Sequence, residues 1–299
     1  MATTSGRMVS EESTPTPGRH RRRGGTAAGT VGWALAGLIV LLAVLAPILS
    51  PHDPLLQDLE RRAAAPTISW SRLGAHPLGN DQLGRDLLSR VIYGSRVSLG
   101  VGIAAVVLGG TIGVALGVMS GYFGGWPDRL IMRIADIQLA FPFILLAMTI
   151  IAVAGPGLGK LIAVLALSGW VTYARVIRSE VLSVREREFI QAARAVGLRD
   201  GRIMLRYVLP NVAAPIIVVA TLELARVVIL EAALSFLGLG VQPPTPSWGR
   251  MLADGRDFLA TAWWISTFPG LAIMALVLGV NLVGDWLRDV LDPRIRYSS

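Results

Sequence analysis

The chain has 299 residues, of which 53% are hydrophobic and only 16% charged, too apolar for an ordinary soluble domain of its size. Its net charge of +8 does not indicate nucleic-acid affinity, because the arginines flank apolar runs instead of gathering with aromatic platforms on one soluble face. With no cysteine, disulfides, thiol catalysis and thiolate metal sites are excluded.

Residues 1–29, rich in Ser, Thr, Pro, Gly and Arg and closing on the basic run 19–23, are expected to form a disordered tail. The uncharged run 30–49 predicts a first transmembrane helix over 30–50. It is long for a signal-peptide core and lacks a small-x-small cleavage site at its end. Residues 51–95 are polar, carry prolines at 51, 54, 66 and 77, and are expected outside the membrane, partly as surface-lying helix. A core over 96–287 then holds five further spans. The first of these, 97–119, repeats glycine at Gly109, Gly113 and Gly117. That spacing either brings another helix close in lipid or is merely tolerated in a span. A short turn over 121–133 and a span over 134–154, bent at Pro142, come next. A fourth span covers 161–178, with end arginines able to snorkel. A charged loop over 179–211 leads to a fifth span, 212–237, then a sixth, 263–286, and a tail over 288–299. Eight arginines crowd between Arg175 and Arg206 and five lie in the N-terminal tail, so the positive-inside tendency puts both termini and this loop in the cytoplasm.

Within that loop Phe189, Ala192, Ala193 and Val196 recur at the spacing of one helix face. Adjacent alanines leave room for another backbone, and Gly197 suits the left-handed turn that ends a helix. A second short helix is predicted, with Asp200 as N-cap and Pro210 as its end. Two short helices joined at a glycine and held at a membrane face suit docking into a partner.

The inventory for catalysis is poor. His20, His52 and His76 all lie outside the spans, so no intramembrane Ser-His or His-metal site can be assembled. The run 155–160 imitates a phosphate loop but has Ala154 and Leu161 where glycine and Ser or Thr are needed. No catalytic residue, metal ligand or cofactor is therefore expected in this chain. Asp136, Arg175, Arg178 and Asp285 lie near span ends; the other charges inside a span are Glu223, Arg226 and Glu231, all in the fifth. Each would cost about 2.5–3.5 kcal/mol at a bilayer centre, so each should face a cavity, a partner or one another. Glu223 and Arg226, three residues apart, can pair, either at a subunit interface or along a wet pathway; Glu231 is expected near the outer end, within reach of water. Prolines stiffen the loop over 237–262, and Trp248, Trp263 and Trp264 suit a membrane-water boundary.

Gln191-Ala192-Ala193, Gly197 and Leu209-Pro210 resemble the EAA loop of bacterial ABC-importer permeases, with Gln191 where Glu is usual and Tyr207 where Ile is usual. His76-Pro77-Leu78-Gly79-Asn80-Asp81-Gln82-Leu83-Gly84-Arg85-Asp86, Gly121-Tyr122-Phe123-Gly124-Gly125-Trp126, Glu231-Ala232-Ala233-Leu234-Ser235-Phe236-Leu237-Gly238-Leu239-Gly240, Pro243-Pro244-Thr245-Pro246-Ser247-Trp248-Gly249 and Asp292-Pro293-Arg294 are similar to the C-type subunit of the dipeptide/oligopeptide permease family. The resemblance implies an all-α membrane protein of six transmembrane helices with the type I importer permease fold, in a bacterial plasma membrane. It implies a second permease subunit as heterodimer partner, two ATP-binding domains that hold ATP and Mg, and an extracytoplasmic solute-binding protein. By it Glu188, Gln191, Ala192, Ala193, Gly197, Leu209 and Pro210 couple to the ATPase, and Pro244, Ser247 and Trp248 receive the binding protein. Di- or oligopeptides are the implied substrate, with nickel, glutathione or another small solute as alternatives. A stand-alone secondary transporter or channel is the reading from another class, and the spans lack the dense polar constellation it would use.

Overall fold

In hydrocarbon a backbone polar group finds partners only within its own helix or a closed barrel, so apolar runs of this length are driven to helix. The structure, a computed structural model, describes residues 21–67 and 76–291, with side chains from residue 27 onward. The tails over 1–20 and 292–299, including Asp292-Pro293-Arg294, lie outside the described residues. Among the described residues the only β feature is an isolated bridge between Asn80 and Asp86.

Helix α1 (Arg21–Val44) is followed by a single turn, α2 (Ala46–Leu49). Residues 21–29 are thus the start of a helix, not the end of a tail. Among the described residues between α2 and the next helix the chain is irregular apart from a 3-10 turn at Leu59–Arg61, so before Leu87 they hold no longer surface-lying helix of the kind expected within 51–95. Helix α3 (Leu87–Phe123) begins ten residues before the apolar run does. Its N-cap, Asp86, accepts the Ser89 N–H at 2.8 Å. The early turns survive Arg90 because that charge is met by Asp81 at 3.2 Å. The turn expected over 121–133 is instead helical: α4 (Gly125–Leu139) follows α3 after Gly124, whose φ is +64°. Next, α5 (Phe143–Ala154) departs from α4 at 88°, so the third span is a broken pair hinged at residues 140–142, not one bent helix. Proline removes the N–H that would continue α4 and disfavours helix in the residue before it.

Four more long or short helices frame the loop of interest. They are α6 (Leu158–Val184), α7 (Glu188–Ala195), α8 (Asp200–Ile203) and α9 (Leu209–Asn211). The chain then makes α10 (Ala213–Phe236), α11 (Trp248–Gly255) and α12 (Trp264–Leu291). Five helices are long and apolar enough to cross a membrane, and the α4–α5 pair makes a sixth crossing if counted as one.

The choice left open for the α3 glycines resolves to contact. A Cβ on Gly109, Gly113, Gly117 or Gly121 would lie 2.6, 2.4, 2.8 or 2.9 Å from the carbonyl oxygen of Ala166, Trp170, Ala174 or Arg178 respectively. Both series advance by four residues, so α3 and α6 touch backbone to backbone along more than three turns, the way small residues bring helices together where lipid supplies no hydrophobic drive. A similar closeness joins α1 to α12, where Gly32 faces the Gly279 oxygen and Trp33 meets Trp286 edge to face. An apolar groove of about 700 Å³ opens between α3 and the α8–α10 region, lined by Gly110, Val114, Met204 and Ile216 among others.

Candidate functional site

The loop joining α6 to α10 is built on α7. At about 100° per residue, Ile190 and Ala193 share one direction and Phe189, Ala192 and Val196 another. Ile190 and Ala193 are buried, packed with Val118, Ile177, Val181 and Ile203. Phe189 is 40% exposed, Val196 76%, and Ala192 is exposed between them. The four-residue stripe read from the sequence therefore splits, with only Ala193, at its edge, turning inward. The remaining three form an apolar face that nothing among the described residues covers.

Gly197 ends α7 with φ +76°. Its N–H donates to the Arg194 oxygen at 2.9 Å, and the Leu198 N–H donates to the Ala193 oxygen at 3.2 Å, the paired bonds of a Schellman turn. Beyond it, Arg199 holds the N-cap position and Asp200 is the first helical residue. Asp200 is thus not the cap; its carboxylate instead accepts the Tyr122 hydroxyl at 2.6 Å. Pro210 does not end the helical path either. It sits in the first turn of α9, where its missing N–H leaves no gap, and the helix resumes at Ala213. A wide π turn, Met204–Val208, precedes it, and the Leu209 N–H bonds back to Met204.

Three side chains fasten this loop to the end of α3. Tyr122 is buried at the centre, donating to Asp200 and accepting the Arg194 Nε–H at 3.3 Å, while the Arg194 guanidinium lies over its ring at 4.7 Å. Arg185 donates to the Gly121 carbonyl at 2.9 Å. Close by, Asp128 of α4 takes two hydrogen bonds from Arg178 of α6, at 2.5 and 2.7 Å, and another from Ser120. Gln191, where a carboxylate would be usual, spends its amide on the Glu186 carbonyl at 3.1 Å. Glu188, Gln191, Ala192, Gly197 and Pro210 are exposed, Leu209 is half-buried and Ala193 is buried. Sequence reasoning named Tyr122 only within the Gly121–Trp126 motif and gave it no role, because it lies far along the chain from the loop and nothing local signals its hydrogen bonds.

The charges of α10 divide into two environments. Glu223 is 5% exposed, and Arg226 donates to it at 3.2 Å while keeping much of its own side chain accessible. The carboxylate lies against Gly169 of α6, where a Cβ would approach Glu223 Oε2 to 3.3 Å. Glu231, expected within reach of water, is wholly buried. It accepts hydrogen bonds from Ser98 of α3 at 3.2 Å and from Ser235 at 2.7 Å. The Ser98 oxygen in turn receives the Trp248 N–H, and the Ser235 oxygen receives the Val241 N–H. Glu231 thus knots the proline-rich loop to α3 and α10.

That knot corrects the surface expected for a binding protein. Ser247 and Trp248 are 0% and 1% exposed, with Ser247 capping α11 and the Trp248 indole donating to the Val91 carbonyl. Of the three residues named for contact, only Pro244 is exposed. Trp264 is likewise buried, donating to the Asn80 carbonyl, which leaves Trp263 as the exposed member of the tryptophan set. The same end of the bundle holds Asp81 against Arg85 at 2.6 Å, and Asp254 against Arg250 at 3.0 Å.

Residues 113–297 match the family described as binding-protein-dependent transport system inner membrane component. The chain is 45% identical over 268 residues to the dipeptide transport system permease protein DppC of Alkalihalophilus pseudofirmus, covering 88% of this chain and 86% of that one. It is 45% identical over 264 residues to the di/tripeptide transport system permease protein DppC of Pseudomonas aeruginosa, with the same coverages. The glutathione transport system permease protein GsiD of Pectobacterium atrosepticum is 41% identical over 266 residues, 87% of this chain and 86% of that one. An inward-facing structure of the MetNI methionine ABC transporter aligns with 69% of this chain and 98% of its own at a TM-score of 0.57; at 20% identity it speaks for the fold alone. The chain belongs to the binding-protein-dependent transport system inner membrane components, as a multi-pass permease subunit of an ABC importer with the type I fold.

Proposed function

We propose that the chain is the C-type permease of an importer for di- and oligopeptides, paired with a second permease and moved by two ATP-binding domains on the cytoplasmic side. The chain itself hydrolyses nothing and binds no nucleotide in this reading; ATP and Mg belong to the partner ATPases. An extracytoplasmic solute-binding protein delivers the substrate, and both termini are cytoplasmic. The observation that carries the reading is the outward apolar face of Phe189, Ala192 and Val196, on a helix whose other face is fixed to α3 through Tyr122. Such a face fits a cleft in the ATPase, and Glu188 and Gln191 of the same helix are exposed beside it. Closure of the ATPases on ATP then shifts α7, and the shift selects between inward-open and outward-open arrangements of the permease pair. The peptide substrate is supported by the 45% identity to two dipeptide-type permeases.

Glutathione is the second reading, favoured by the 41% identity to a glutathione permease. A ligand screen on the solute-binding protein that co-purifies with this chain separates the two.

The coupling role is tested at Gly197. Its positive φ costs any branched side chain about 1–2 kcal/mol, although the space around it is open. Gly197→Val should leave the complex in the membrane while ATP hydrolysis no longer drives uptake. Gly197→Asn, which tolerates the left-handed turn, should keep both. Normal accumulation of substrate by the valine variant with unchanged ATPase coupling overturns the role.

A further inference from the structure

Three distant pieces of chain converge where α3 begins. His52 lies just after α2, His76 opens the turn that runs to Gly79, and Asp86 caps α3. His76 Nδ1 is 2.7 Å from Asp86 Oδ1, and His52 Nδ1 is 3.8 Å from Asp86 Oδ2. The two imidazoles stack with ring centres 4.6 Å apart. One donor atom from each of the three residues lies within 4.8 Å of the others. The Asp86 carboxylate is fully buried, and His52 Nδ1 is buried without a hydrogen-bond partner. The surroundings hold the donors in place: the His52 N–H donates to Ser89 Oγ, which itself donates to Asp86 Oδ2 at 2.6 Å.

An orphaned imidazole nitrogen, a second imidazole and a buried carboxylate make an N/N/O set of the kind that binds zinc and its neighbours. Three protein ligands leave one position for water. We propose that His52, His76 and Asp86 bind a divalent transition cation of the Zn²⁺ type, which clips the segment after α2 and the His76 turn to the start of α3. On binding, the single ring proton of His76, which Nδ1 donates to Asp86 Oδ1, is exchanged through solvent to Nε2, so that Nδ1 is free for the cation. Nε2 then no longer accepts from Arg61, now 3.0 Å away, and Arg61 must turn aside. Arg61 is half-exposed and already pairs with Asp58 at 3.3 Å, so it is free to do so. Arg61 therefore opposes the cation. The site stands apart from the coupling loop, and the proposal does not depend on which solute is carried.

The test uses the whole permease–ATPase complex, stripped with chelator and titrated with Zn²⁺ by calorimetry, alongside the visible spectrum of added Co²⁺. One tight Zn²⁺ per copy of this chain is expected, together with a tetrahedral Co²⁺ spectrum. His52→Ala should weaken binding about tenfold or more and abolish the Co²⁺ bands. Because His52 Nδ1 makes no hydrogen bond, this variant should fold normally, and its melting temperature should no longer rise with Zn²⁺ as the parent's does. Arg61→Ala should tighten binding. Equal Zn²⁺ binding by the parent and His52→Ala places the metal on other residues and overturns the proposal. So does an absence of stoichiometric binding in the parent, which leaves His76 and Asp86 as an ordinary hydrogen-bonded pair.

Discussion

Glu231 shows how a charge can be affordable inside a span. It accepts from two serine hydroxyls contributed by different helices, and each hydroxyl relays the bond to a backbone N–H of the proline-rich loop. Removing the carboxylate strands the fully buried Ser98 and Ser235 hydroxyls. Glu231→Ala should therefore cost the complex about 1–3 kcal/mol. A thermal melt of the purified complex that does not shift would show that the knot holds nothing. Glu223 is different: its partner Arg226 keeps one face open, so the pair remains available to a neighbouring subunit or to water. The sequence pairs Glu223 with Arg226 but places Glu231 within reach of water, where the structure buries it. Both residues lie on one apolar run, and what distinguishes them is Ser98, more than 130 residues away.

At the scale of elements, the α3–α6 pair carries the fold. Four glycines of α3 face four carbonyls of α6, and the tightest approach is at Gly113, where a methyl would sit 2.4 Å from the Trp170 oxygen. Backbone cannot yield as a side chain can, so Gly113→Ala should destabilise the helix pair by about 1–3 kcal/mol. Gly100→Ala, on the same helix with nothing within 4 Å, should be silent. The contrast is read from the amount of folded subunit in membranes after detergent extraction; equal yields would count against the ladder. Gly109, Gly113 and Gly117 were legible as a small-residue repeat, but the partner helix was not, because Ala166, Trp170 and Ala174 contribute carbonyls and not side chains. The α4–α5 break was half legible: Pro142 marked the place, while the length of α4 was hidden by its amphipathic composition. The faces of α7 were misread for a related reason. Spacing defines a stripe, yet over two turns it cannot say which edge of that stripe packs inward.

For the whole molecule, five of the six expected spans follow from apolar run length as single long helices, the third being the broken α4–α5 pair, and the long motifs place the chain in its family. What composition could not supply was the arrangement beyond the bilayer. Ser247 and Trp248 sit in a loop rich in proline, which reads as surface, and are buried because Glu231 and Val91 draw them in. The proposed orientation is open to a direct check, since the chain contains no cysteine. Arg199→Cys, on the exposed Gly197–Asp200 turn, should resist membrane-impermeant thiol reagents in intact cells and react once the membrane is opened. Labelling in intact cells would invert the topology and remove the ATPase from the account.

Helix α3 runs unbroken for 37 residues, about 55 Å at 1.5 Å per residue, against a hydrocarbon thickness of about 30 Å. Tyr122 stands at one extremity and Asp86 caps the other. A stiff rod longer than the bilayer is thick needs no chain of intermediaries: a tug on one tip displaces the other in the same stroke.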